Sequence, residues 1–398
     1  MKLAFVLPTR HRAALAITAI QSTLSQPVDV SVIVSDNSSS EDEARQLEEF
    51  CGSCNDPRLL YIRSSPVRPM PAHWDWALEQ ALARTDATHF GVQYDRKIWK
   101  PGQLQYLAAA CASAPGTLVS YVCDFTYPAP PASGAWQAPA TGKLYEVRTS
   151  SVIGMTARGM IYEIGQNFPV LSNCMVPRGI MDRMRDRFGD FCNSSTPDAA
   201  FAFRFCAIED TYRHLDRALA IIHAFKYSNG LSLSRRDSGG TWDDFTKLWG
   251  DRAWLPEAPI PALDLGQNIS FHEYNLVRRA VGEARFPPID RAGYLRELAR
   301  ALAFIQDPEH KAEMRALLES HGWTEDPPRR RPLYRRALDR VRHPRGFREH
   351  LFGTEEEALA YLLNNPLPLS SRKPLLAPLD PHEVPFAALL NPHRVNAE

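Results

Sequence analysis

Hydrophobic positions in the first 125 residues switch between two periods. Leu3 to Leu7 form an unbroken apolar run leading into LPTRHR, the pattern of a strand covered on both faces, and Ala13 to Leu24 then repeat apolar residues at helical spacing. VDVSVIVSD (28–36) returns to a strand rich in β-branched residues. Ser40-x-x-Glu43 is a capping-box signature and opens a helix towards Phe50. RLLYIR (58–63) reads as a short strand, and Met70 to Ala83 as a helix with Trp74, Ala77, Leu78 and Ala81 on one face. THFGVQ (88–93) and GTLVSYV (116–122) supply two more strands, around a helix that begins near Pro101. Within THFGVQYDRKIWKPGQL (88–104) a buried strand passes directly into the start of that helix, with Asp95 at the join. Strands alternating with helices of this length predict an α/β fold: a mostly parallel, doubly wound, Rossmann-like sheet with right-handed crossovers. Ligands on such sheets bind beyond the carboxyl ends of the strands. That rule selects three loops, Pro8 to Arg12, Asp36 to Ser39 and Tyr94 to Lys97.

The pattern weakens between 126 and 170, where YPAPPASGAWQAPATG precedes strand-like pieces such as KLYEVR; this stretch is expected to be an insertion or flap. Regular signals resume with a helix from Arg178 to Arg187. In STPDAAFAFRFCA (195–207), Thr196 is suited to cap a helix, Pro197 to occupy its first turn, and Asp198 follows. ALAIIHAF (218–225) is a buried strand with His223 near its end. The Pro-rich WLPEAPIPALD (254–264) sets a boundary near 250, between a domain over 1–249 and a mostly helical accessory region over 250–398.

Composition removes several classes. A chain of 398 residues, 44% hydrophobic and 23% charged, has the material for one large or two medium cores. Its formal net charge of zero provides no global field to recruit nucleic acid, and no specific nucleic-acid partner is expected. Seven cysteines, an odd number scattered through a long chain, argue for a reducing compartment rather than a disulfide framework. Cys51-Gly-Ser-Cys54 has redox spacing, but no second pair completes a zinc site. No signal peptide is legible, and no apolar run approaches the roughly 18 residues of a membrane span, so a cytoplasmic location is expected. Arg329 to Arg348 carries nine arginines around a stripe formed by Leu333, Tyr334, Ala337, Leu338 and Val341. Such a segment is either a solvated helix packed on the rest or a basic amphipathic helix lying peripherally on the inner face of an anionic membrane.

A strand ending in LPTRHR, a second ending in VSDNSS, a third ending in YDRKIWKPGQL, the helix MPAHWDWALEQA and the later SSTPDAAFAF stand in an order and spacing that resemble the family 2 glycosyltransferases and their GT-A fold. The resemblance covers roughly residues 1 to 235. It implies inverting transfer of a sugar from a nucleotide-diphosphate sugar to a hydroxyl acceptor, a glycan or a lipid-linked molecule, in surface polysaccharide or glycoconjugate assembly. It further implies a nucleotide-binding half over 1–125 and an acceptor half over 171–249. On this resemblance Pro8, Thr9, Arg10, Arg12, Asp36, Asn37, His73 and Tyr94 line the nucleotide pocket, with Asp36 meeting the base, and Asp198 is the catalytic base. The family usually has Asn where this chain has His11 and His73. The other class of reading is a catalytically inactive GT-A domain that binds nucleotide or glycan or serves as an assembly partner.

Each candidate also has a plainer role. Asp36 is suited to cap the turn that follows it, Arg10 and Arg12 to be solvated or to grip phosphate bidentately, and Asp198 to sit in a first helical turn, stabilised by the helix dipole. His223 is either a metal or phosphate ligand or a satisfied core residue. Around Asp95 two alternatives stand open. Asp95 holds Mg²⁺ or Mn²⁺, since such ions need only one or two protein carboxylates when a diphosphate supplies the rest. Otherwise Arg96 and Lys97 replace the ion by neutralising the leaving diphosphate directly.

Overall fold

The structure of the protein, a computed structural model, describes residues 1–129, 131–229, 232, 241–250, 254–324, 348–369 and 379–384. The chain opens with β1 (Leu3–Thr9), α1 (Ala13–Leu24), β2 (Val30–Asp36), α2 (Glu41–Ser53), β3 (Leu59–Arg63), α3 (Met70–Arg84) and β4 (His89–Val92). These four strands are parallel, in the order β4-β1-β2-β3. Every residue of β1 is buried, which is why its sequence runs apolar without alternation. Ala4 and Val6 pack with Ala77, Leu78 and Ala81 of α3 in one core, while Leu7 packs with Ala16 and Ile20 of α1 in another. The register sets Thr9 beside Asp36, so β1 and β2 deliver their last residues to one edge of the sheet.

The two ends of the expected capping box part company. Ser40 caps α2 by accepting from Glu43 N at 3.5 Å. The Glu43 carboxylate instead accepts from Ala13 N at 2.8 Å, and so caps α1, whose own preceding residue, Arg12, makes no side-chain cap.

The second half of the sheet is built from β5 (Lys97–Trp99), β6 (Val119–Ala129), β7 (Ala132–Gln137), β8 (Leu144–Arg148), β9 (Cys174–Pro177) and β10 (Thr211–Ile222), with helices α4 (Leu104–Ser113), α5 (Thr149–Ala157), α6 (Ile161–Ile164), α7 (Arg178–Phe188) and α8 (Pro197–Ile208). β9 runs antiparallel to both β4 and β6 and joins the two halves, and β6 and β10 are parallel. The α/β expectation therefore holds, in a sheet of 12 strands. One local reading needs correction. The chain does not pass from β4 straight into a helix: Lys97, Ile98 and Trp99 form β5, antiparallel to Ile222, Ile221 and Ala220. Ile98 and Trp99 are buried there, and a surface loop would have left them in water.

The stretch 126–170 contributes β7, β8 and α5, and its Val147, Val152, Ile153 and Met155 belong to the main core. Beyond 250 the described residues are mostly helical, Gly266–Val281, Arg291–Ala301, Pro308–Ser320 and Glu355–Asn364, with two short strands, β11 (Arg348–Phe352) on β7 and β12 (His382–Val384) on β8. Of the basic segment Arg329 to Arg348, all but Arg348 lie outside the described residues. Among the described residues no helix is long and apolar enough to cross a membrane. All seven cysteines are free, and burial pushes the Cys51 thiol up to about 12, which makes it a poor nucleophile.

Candidate functional site

A cavity of about 660 Å³ opens beyond the carboxyl ends of the parallel strands. The β1 end supplies Pro8, Thr9, Arg10, His11 and Arg12; the β2 end supplies Asn37; the β4 end supplies Tyr94, Asp95 and Arg96; and the start of α8 supplies Ser195 to Asp198. His73 and Trp74 reach it from α3. Ten of the thirteen residues singled out in the sequence meet here.

Asp198 is held from two sides. Its Oδ1 accepts from Ser172 N at 3.0 Å, and its Oδ2 accepts from the Tyr94 hydroxyl. Ser172 Oγ in turn donates to the Tyr94 oxygen at 2.9 Å. Burial and the Asp198 charge hold the Tyr94 hydroxyl well above its usual range, so it stays a donor. Thr196 caps α8 through Ala199 N at 3.4 Å, and Pro197 and Asp198 occupy the first turn. Asp95 accepts from Thr9 Oγ1 at 3.0 Å and lies 3.6 Å from the Arg12 guanidinium. Arg96 stacks on the Tyr94 ring at 5.0 Å and Arg12 on the Tyr227 ring at 5.4 Å. His11 sits at φ 56°, and its N donates to Ser38 Oγ at 2.9 Å, tying the β1 loop to the β2 loop.

His73 lines the cavity as a neutral ring. Its Nε2 meets Ser35 Oγ at 2.8 Å, and burial, with the Arg68 and Arg10 charges, pushes its pKa down to about 3.

Three candidates stay outside. Asp36, 0% exposed, accepts from Ser38 N at 2.8 Å and from the Tyr61 hydroxyl at 3.0 Å, the turn-capping arrangement, while its neighbour Asn37 faces the cavity. Lys97 is carried into the core by β5: 0% exposed, it donates to Ser172 O, to Asn173 Oδ1 at 2.9 Å and to the Tyr121 hydroxyl at 3.4 Å. It cannot touch a ligand in the cavity, although it braces the backbone that holds Asp198. His223 is not among the lining residues and donates its backbone N–H to Arg96 O at 3.0 Å; its buried Nε2 has no partner among the described residues.

Sequence reading missed Arg68, Lys226, Tyr227, Trp254 and Ile269, all of which line the same cavity. Arg68 follows the end of β3 and Lys226 and Tyr227 follow the end of β10, so the strand-end rule already applied to β1, β2 and β4 would have reached them. Trp254 and Ile269 come from beyond residue 250, and no local signal marks them. Five cations, Arg10, Arg12, Arg68, Arg96 and Lys226, thus face two carboxylates, Asp95 and Asp198, among the lining residues. The same lining includes an apolar wall in which Phe245 and Trp254 pack edge to face at 5.1 Å, with Leu248 and Ile269.

The donor set does not suit a resident divalent ion. Asp95 is a single carboxylate with one oxygen engaged by Thr9 and by the Arg12 guanidinium 3.6 Å away, and His223 is outside the cavity. Among the described residues no three His, Cys, Asp or Glu side chains gather so as to hold a metal.

No family model and no curated protein matches this chain. Solved structures similar to it include S. aureus TarS 1–349 in complex with UDP-GlcNAc, at TM-score 0.44 and 14% identity over 80% of this chain and 86% of that one. Another is the mannosyltransferase PcManGT from Pyrobaculum calidifontis in complex with GDP-Man and Mn2+, at TM-score 0.40 and 14% identity over 80% and 85%. Likeness of this degree leaves function to the site itself.

Proposed function

We propose that this chain is a GT-A glycosyltransferase that moves a sugar, with inversion, from a nucleoside-diphosphate sugar to a hydroxyl acceptor. The observation that carries the reading is the mixed lining of one cavity: a cluster of cations at the strand ends, an aromatic and apolar wall, and one fixed carboxylate, Asp198. The cations suit a diphosphate, for which guanidinium forks supply paired donors. The wall suits the apolar face of a sugar ring, which makes a glycan the favoured acceptor. In the proposed step the acceptor hydroxyl gives its proton to Asp198, its oxygen bonds to the anomeric carbon, and the bond from that carbon to the diphosphate breaks with its electron pair passing to the diphosphate oxygen. Arg10, Arg12, Arg68, Arg96 and Lys226 offset the charge that develops there. Inversion is what a single displacement gives, with Asp198 acting as base and no carboxylate bonding to the sugar. With the Arg12 guanidinium 3.6 Å from Asp95 and four further cations on the lining, fixed cations are proposed to take the ion's place.

One observation favours the inactive binder: both oxygens of Asp198 already accept hydrogen bonds, which weakens a base. Asp198→Asn decides between the two. Enzyme activity predicts loss of transfer with nucleotide-sugar affinity nearly intact, measured by product formation and by thermal shift with a panel of nucleotide sugars. Turnover retained in the variant would remove Asp198 from the mechanism.

A further inference from the structure

Ahead of Asp198 the chain has no regular structure between Gly189 and Thr196, yet the placement of the base depends on it. Its backbone and side-chain donors are gathered by acceptors from elsewhere in the fold. Asp75 Oδ1, on α3, accepts from Phe191 N at 2.7 Å and Cys192 N at 3.1 Å, and Trp254 O accepts from Ser195 Oγ at 2.8 Å. The last grip comes from the Gly266–Val281 helix: Glu273 Oε1 accepts from Thr196 N at 3.1 Å, two residues before Asp198. Glu273 is 1% exposed. Burying a carboxylate is costly unless hydrogen bonds repay it, and here the donors are those of the segment that sets Asp198. Pro197 has no N–H, so Thr196 N is the last backbone donor ahead of Asp198 itself.

We infer that Glu273 is a positioning residue for Asp198, and that the region beyond residue 250 completes the active site by fixing the segment that leads into α8. The inference rests on the proposed role of Asp198. Glu273 touches neither donor nor acceptor; it acts through Thr196 and the cap of α8. A shift of about 1 Å in a reacting group costs on the order of 10²-fold in rate, so loss of this grip is read in kcat while the strand-end cations continue to bind the donor.

The test compares three variants of the full chain. Glu273→Gln keeps an oxygen acceptor and is expected to retain kcat within about threefold. Glu273→Leu fills similar space without an acceptor and is expected to lose about 10²-fold in kcat with donor KM unchanged. Glu273→Asp draws the acceptor back by one methylene and falls between them; should the Leu variant not fold, the Asp variant is read against Gln alone. Folded Leu or Asp variants with wild-type kcat overturn the inference, and so does a loss in which donor KM worsens along with kcat and Tm, the mark of general loosening. Asp198→Asn is run beside them: if it remains active, the glycosyltransferase reading fails instead.

Discussion

Chelation and single-cation deletion separate the two ways a leaving diphosphate could be neutralised in this cavity. Arg12 Nη1 stands 3.6 Å from Asp95 Oδ2, with Asp95 almost wholly buried. At an effective dielectric constant of about 20, unit charges about 4 Å apart interact by about 4 kcal/mol. A doubly charged ion about 4 Å from Arg12 would meet a repulsion of roughly 8 kcal/mol, which works against its attraction to Asp95 and to the diphosphate. A diphosphate oxygen in the same place gains attraction from each guanidinium, and after desolvation one preorganised charge stabiliser is worth about 3–4 kcal/mol, or 10²- to 10³-fold in rate. Wild-type protein in excess EDTA is therefore expected to keep its transfer rate within twofold. Arg12→Ala and Arg96→Ala are each expected to lower kcat by about 10²- to 10³-fold at saturating donor. Arg12→Ala, with the repulsion removed, is expected to gain a response to Mn²⁺ that the wild type lacks. Nucleotide diphosphate release in a coupled assay gives the rate, and mass spectrometry of the acceptor confirms transfer. Activity abolished by EDTA and restored by Mg²⁺ or Mn²⁺, with both arginine variants within a few-fold of wild type, would refute the reasoning and return the site to Asp95 and a metal.

Asp36→Ala is expected to cost about 2–3 kcal/mol of stability in urea unfolding, by removing charged hydrogen bonds to Ser38 N and the Tyr61 hydroxyl; unchanged stability with lost nucleotide affinity would show that the carboxylate meets the base directly. Phe203, wholly buried between Phe168, Tyr274 and Phe286, ties α8 to the Gly266–Val281 helix, and Phe203→Ala is expected to destabilise by about 3–5 kcal/mol, read as a lower urea midpoint. Burial pushes Glu273 from its ordinary 4.5 up to about 7. A carboxyl with its folded pKa raised contributes stability that is full below 4.5 and is lost as pH rises through 7, about 3 kcal/mol in all. The stability difference between Glu273→Gln and wild type is thus expected to shift in the variant's favour from pH 4.5 to pH 8; a difference independent of pH would mean that Glu273 titrates normally.

The sequence by itself determined the layers and most of the site loops. Helical and strand periods record which faces are buried, and burial on both faces leaves β1 no polar positions, so the first four strands and their helices could be read from apolar spacing alone. The strand-end rule then pointed Thr9, Arg12, Tyr94 and Asp95 towards one cavity, and the resemblance to the family 2 glycosyltransferases added Asp198. What only the tertiary structure decided are the directions of side chains and the contacts between distant segments. Lys97 reads as a site cation because it follows Asp95 and Arg96, but pairing of β5 with β10 carries it into the core, and no local pattern announces a three-residue strand. Asp36 reads either as a ligand contact or as a turn cap, and only the structure shows it bonded to Ser38 and Tyr61. Ile269 lines the cavity and Glu273 reaches Thr196 because the Gly266–Val281 helix packs on α8, and Trp254 joins the lining from the chain ahead of that helix. That packing is a long-range choice of partner, fixed by complementary buried surfaces such as Phe203 against Tyr274 and Phe286, and spacing along the chain carries no trace of it.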